Sequence, residues 1–211
     1  SIGYAGASRM EIGGIIGFAY NASSSEMSTF SNLKSSIKIT STSKANVEAN
    51  YAGVVSFPAL GFMKDCQFTG SITLGEDVAH KKVNLAGIAN YTMKGFVGCI
   101  NGDKNNPKAG KLSSEATVSG LFFVGGIYSG NSKSEKVSHE EGINGCINYA
   151  PIHIGGKLTS STDYAFVGGI AGIIDCANIE GIKIDTVVSH TAPSFCELQT
   201  KRGLSSWCLK D

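Results

Sequence analysis

Proline is scarce in this chain, four residues in 211, and its 27 glycines follow no Gly-X-Y period, which excludes a collagen-like triple helix. Glycine without proline suits tight turns between strands better than disorder. Charge is also thin. Charged residues make up 17% against the usual quarter, and the net charge is +1, so neither a nucleic-acid partner nor an anionic membrane surface is favoured. No run of eighteen apolar residues occurs; the longest candidates, Ile12 to Tyr20 and Phe166 to Ile174, are glycine-rich and too short to span a bilayer as a helix. The sequence opens at Ser1 with neither an initiator methionine nor a basic-then-apolar stretch, which suggests either a processed chain or a segment of a longer parent with flanking domains. Ser1 to Ser8 looks like the tail of another coil, which favours the segment.

What is present is a phrase that recurs five times: Ile12-Gly13-Gly14-Ile15, Tyr51-Ala52-Gly53-Val54, Leu85-Ala86-Gly87-Ile88, Val124-Gly125-Gly126-Ile127 and Val167-Gly168-Gly169-Ile170. Each copy reads large apolar, small, glycine, β-branched. Anchored on the second glycine, the spacings are 39, 34, 39 and 43 residues. Self-similarity on this scale marks a repeat architecture whose units bury their apolar faces against their neighbours. A second element follows each anchor: Asn32-Leu33, Asp65-Cys66, Gly98-Cys99, Gly145-Cys146 and Asp175-Cys176. An alternating strand comes next at Ile37-Lys38-Ile39, Ile72-Thr73-Leu74, Ile152-His153-Ile154 and Ile182-Lys183-Ile184, with the isoleucine and leucine side chains facing in. In the third copy a polar insertion, Asn101 to Ser114, intervenes and Ala116-Thr117-Val118 is the expected equivalent. No segment carries helical periodicity. The expectation is an all-β fold, a repeat β-solenoid of the parallel β-helix kind with about five coils over residues 1–188, closed by a C-terminal cap over 189–211. The glycine phrase carries apolar residues on both strand faces. Either a bulge switches the face there, or the outside is covered.

This combination resembles the GLUG-type repeats of large surface proteins of bacteria and some protists. Phe166-Val167-Gly168-Gly169-Ile170-Ala171-Gly172, then Asp175-Cys176-Ala177-Asn178 and Gly181-Ile182, carries the resemblance most fully, and Glu11 to Gly17 and Phe123 to Tyr128 match its first half. Ser56 and Asn90 stand where the pattern has its last glycine. The resemblance implies a β-solenoid segment of a secreted or cell-surface, adhesin-like protein and brings no catalytic residues with it.

Four of the six cysteines, Cys66, Cys99, Cys146 and Cys176, share the repeat position that holds Leu33 in the first copy. A position that accepts leucine or cysteine reads as buried and apolar. Stacked strands lie about 4.8 Å apart, so disulfides between adjacent rungs would need local distortion. Cys196 and Cys208 lie in the cap, where a bond between them would contribute roughly 2–3 kcal/mol through loop closure and place the chain in an oxidising compartment. Zinc binding by His190, Cys196 and Cys208 falls one ligand short of the tetrahedral norm, so neither metal nor cofactor is expected.

A carbohydrate-active β-helix enzyme is the rival to a binding module. Its site would need converging acids, and Asp175, Glu180, Lys183 and Asp185 form the densest charged group. Only two arginines exist, Arg9 at one end and Arg202 in the cap, neither expected in a repeat strand. The tyrosines fall at different repeat positions, so no aromatic stripe is expected. Threonine is expected on the outward strand position only once, at Thr73. Binding is therefore expected on the polar insertions Asn101–Ser114 and Asn131–Glu141, with Asn101, Asp103, Lys104, Asn131, His139 and Glu140 as candidates. The reading is a non-enzymatic extracellular or cell-surface module for a glycan or extracellular protein ligand, with a purely structural spacer as the remaining alternative.

Overall fold

The computed structural model describes residues 8–20, 28–59, 61–92, 94–130, 142–159 and 164–172, and the strands Ile179–Glu180, Lys183–Ile184 and Val188–His190. The chain is all-β, with parallel strands in stacked sheets, the arrangement of a β-solenoid, and no helix occurs among the described residues. Successive strands of each sheet come from successive repeats. The sheet holding the glycine phrase is Arg9–Gly13, Glu48–Ala52, Lys82–Ala86, Leu121–Gly125 and Tyr164–Gly168. Its register places Ile12, Tyr51, Leu85, Val124 and Val167 in one line, so the sequence repeat is a spatial stack. Three more sheets of five strands and one of three complete the walls.

The anchor glycines are required by close approach. A Cβ on Gly53, Gly87 or Gly126 would lie 2.2–2.3 Å from the carbonyl oxygen of the next anchor, well inside contact distance. On Gly87 it would also sit 2.5 Å from Asn101 Cγ, and on Gly126 2.5 Å from Asn148 Cγ. The Asn32-Leu33 element and its equivalents are a corner. Asn32, Asp65, Gly98 and Gly145 all take positive φ, at 57°, 52°, 63° and 58°. This left-handed conformation is open to glycine and tolerated by Asn and Asp, which is why those three types share the position. The following residue then points inward: Cys66, Cys99 and Cys146 are buried and free.

The open question of the two-sided glycine phrase resolves as covering. After each anchor the chain turns back over the outer face of its own strand. These returns form a second parallel layer, with Ile16–Phe18 paired to Val55–Phe57 and single bridges linking Val55, Ala89, Tyr128 and Ala171. Strands Glu48–Ala52, Lys82–Ala86 and Leu121–Gly125 are thereby buried from their second residue onward.

Several expected registers are corrected. Ile39, not Ile37, stands opposite Ile72, and Ile37 is 46% exposed. Thr40 therefore aligns with Thr73 and Ser113, so threonine occupies the outward line twice. In the third repeat Lys111–Ser114 is the equivalent strand, while Thr117-Val118 pairs with Ala79-His80 on another wall. Lys183-Ile184 pairs with Ile147-Asn148, and the partner of Ile152–Ile154 is Val188–His190. Pairing thus continues across the boundary expected at 188. The expected strands stand two, four and six residues from the observed ones, and a period of two cannot tell registers of equal parity apart.

Candidate functional site

The outer side of the glycine sheet carries charged, polar and aromatic side chains in register. Arg9, Glu48 and Lys82 line up across adjacent strands, one per repeat, with alternating charge. Arg9 therefore does sit in a repeat strand, contrary to expectation. Lys82 Nζ reaches Glu48 Oε1 at 3.0 Å, and Arg9 Nε reaches Glu11 Oε1 at 2.5 Å. Beneath the returns runs a polar column. Asn50 Nδ2 donates to Glu11 Oε1 at 2.7 Å and Ser56 Oγ donates to Glu11 Oε2 at 2.6 Å. One repeat on, Asn84 donates to Asn50, and Asn90 Nδ2 donates to Ser56 Oγ at 3.2 Å. Two chains of donors thus converge on one carboxylate. Burial pushes Glu11 above its ordinary value, against the downward pull of Ser56, Arg9 and Asn50.

Beside the column stands an aromatic ladder. Phe18 and Phe57 stack at 5.0 Å, Phe57 and Tyr91 at 4.5 Å, and Tyr20 lies 6.3 Å from Phe18, with all planes within 13°. Arg9 lies 4.6 Å from the Phe57 centroid. The expectation that no aromatic stripe forms is overturned. It considered tyrosines alone, whereas Phe18, Phe57 and Tyr91 each follow their anchor glycine by four residues, a signal that was legible in the sequence.

The interior holds polar ladders of its own. Asn101 is fully buried and donates through Nδ2 to Asn148 Oδ1 at 3.0 Å. Its proposed place in a ligand-binding loop is therefore corrected: the loop begins after it. Cys66, Cys99 and Cys146 donate to backbone carbonyls, Cys66 Sγ to Phe30 O at 3.3 Å and Cys99 Sγ to Met63 O at 3.5 Å. Hydrogen bonds with Cys146 and Cys66, together with burial, push the Cys99 thiol well above the ordinary range.

A buried relay joins Ser41, Tyr51 and His80. Since a carbonyl only accepts, His80 Nδ1 donates to Ala45 O at 2.6 Å, and Nε2 accepts from Tyr51 OH at 3.0 Å. Ser41 Oγ, 2.9 Å from Tyr51 OH, is then the donor to it. Burial lowers the His80 pKa from 6.5, so the folded state binds this proton less readily than the unfolded state does. The stability His80 confers is complete above pH 6.5 and is lost as pH falls from there through the folded value. Urea midpoints measured from pH 8 to pH 5 are expected to decline below about 6.5, and His80→Phe is expected to flatten that decline.

Of the remaining expected residues, Asp103 is half-buried and Lys104 exposed, in a loop that runs to Ala109. Asp103 Oδ1 accepts from Asn105 N at 2.9 Å and Asn106 Oδ1 from Lys108 N at 3.1 Å, so the loop braces itself. Asn131, His139, Glu140, Asp175, Asp185, Cys176, Cys196 and Cys208 lie outside the described residues. Glu180 stands opposite Asn144 and Lys183 opposite Ile147, on strands of two different sheets. Among the described residues no group of three or more His, Cys, Asp or Glu could hold a metal ion, and no helix is long and apolar enough to cross a membrane. Comparison with family models, with curated proteins and with solved structures finds no match.

Proposed function

We propose that this chain is a non-enzymatic ligand-binding module of an extracellular or cell-surface protein, a GLUG-type solenoid of about five coils with a cap that follows Val188–His190, adhering through its variable loops. The observation that carries this reading is the loop Asp103–Ala109. Strand and return side chains are largely committed to neighbouring repeats, whereas Lys104, Asn105, Asn106 and Lys108 are exposed and project from a segment held by its own turns. A rigid scaffold presenting a polar loop suits recognition of a glycan or an extracellular protein.

The test is binding of the purified chain to an array of glycans and extracellular-matrix proteins, alongside a variant whose residues 103–109 are replaced by a two-residue turn. Saturable binding that drops at least tenfold in the variant is the expected result. Binding that survives both this replacement and removal of 131–141 would sink the loop assignment. The rival is a polysaccharide-cleaving enzyme using Asp175, Glu180 and Asp185; glycan cleavage by the parent, abolished in Asp175→Asn or Asp185→Asn, would establish it instead.

A further inference from the structure

The third repeat departs from its neighbours at one corner. Between strands Ile100–Asn101 and Lys111–Ser114 it carries the loop Asp103–Ala109, where the second repeat has only Thr69-Gly70 and the fourth Tyr149-Ala150-Pro151. Both neighbours brace the base of this loop. Gln67 Nε2 donates to Gly102 O at 3.1 Å, Gly110 N to Gly70 O at 2.8 Å, and Tyr149 N to Asn101 O at 2.8 Å. Three exposed lysines stand here, Lys104 and Lys108 in the loop and Lys111 at the start of the next strand. The ion pairs among the described residues use Arg9, Lys44, Lys82 and His153, and these three lysines take part in none. The loop's single acid, Asp103, is engaged with Asn105 N. The other acids of this wall, Glu76, Asp77 and Glu115, lie past the opposite ends of its strands, with Asp77 paired to Lys44 and Glu115 to His153. Charge is thus divided across the wall, basic where the strands begin and acidic where they end.

We infer that this corner and the sheet face beside it bind an anionic polysaccharide, one whose sugars carry carboxylate or sulfate groups. The inference rests on the loop reading above and names the chemistry of the ligand. Ile72 and Leu112 are fully buried, so Ser71, Thr73, Lys111 and Ser113 face outward, Ser71 opposite Lys111 and Thr73 opposite Ser113. Lysine ammonium groups on flexible stems supply the positive charge, and the hydroxyls of Ser71 and Thr73 can donate to and accept from sugar hydroxyls. Nucleic acid is the other polyanion to weigh. Single strands are held by aromatic stacking and duplexes by an element that enters a groove. This face is a sheet whose outward lines continue through Lys38, Thr40 and His153 with no Phe, Tyr or Trp among them.

The test is calorimetric titration of the whole chain with polygalacturonate, heparin, uncharged dextran and a DNA duplex in turn. The expected result is saturable binding to polygalacturonate or heparin that weakens as salt rises, with dextran and duplex unbound. Preference between the two polyanions distinguishes carboxylate from sulfate as the group recognised. Lys104→Gln, Lys108→Gln and Lys111→Gln combined, all at exposed positions and so compatible with folding, are expected to weaken binding at least tenfold with an unchanged circular dichroism spectrum. Lys44→Gln, Lys81→Gln and Lys157→Gln combined, exposed elsewhere on the chain, are expected to leave it unchanged. Equal losses in the two triple variants would overturn the inference, because the attraction would then be to overall charge. Equally tight duplex binding would overturn it too, as would no binding to either polyanion. Dextran binding that ignores the three lysines but is lost on replacing 103–109 would overturn it and leave the loop reading standing. Polyanion binding that survives that replacement would sink both.

Discussion

Gly87→Ala is expected to destabilise the chain by about 3 kcal/mol or more, at the upper end of overpacking costs. The added methyl would meet the Gly126 carbonyl and the Asn101 side chain together. Neither neighbour can retreat cheaply. The Gly126 carbonyl is backbone in the next repeat, and Asn101 is held through Nδ2 by Asn148 in a fully buried position. Moving either would disturb the parallel pairing of several repeats at once, because each unit sets the position of the next. Urea unfolding of Gly87→Ala against the parent measures this directly. Gly75→Ala is the control, because its nearest obstacle, Ser41 O, lies at an ordinary 3.6 Å; its cost is expected to stay within about 0.5 kcal/mol. Equal costs at the two glycines would mean that the anchor is not a packing constraint.

Phe68→Ala is expected to cost about 3–5 kcal/mol, the range for truncating a buried aromatic. Phe68 is fully buried, in line with Ser35 on one side and Asn101 on the other. Its ring fills the space left open by the missing side chain of Gly53. In the next two repeats Asn101 and Asn148 fill the corresponding space above Gly87 and Gly126. Anchor glycine and corner residue are therefore one packing unit. Removing the ring leaves a cavity on the Gly53 side, where no side chain stands to fill it. A midpoint shift of under about 1 kcal/mol would show that the wall relaxes, against the close-packed reading.

The repeat, its all-β character and its parallel stacking were legible in the residues. The anchor glycine recurs because each copy meets the same carbonyl, and a local steric requirement leaves a local mark. The cysteine position was readable for the same reason, as leucine and cysteine share only their fit to a small buried space. What escaped were relations between repeats. Asn101 looks like the start of a polar loop until its alignment with Asn148 puts it inside. Ile37 looks like a core residue until pairing selects Ile39. Phe18, Phe57 and Tyr91 share the fourth place after their anchors, yet only the returns folding back bring their rings into a stack. The sequence by itself determined which unit repeats and where its chain must be bare of side chains, because those demands act within a few residues. Only the tertiary structure decided register, covering and which side chains become neighbours, because a period of two satisfies several pairings equally and hydrogen bonds between repeats choose among them.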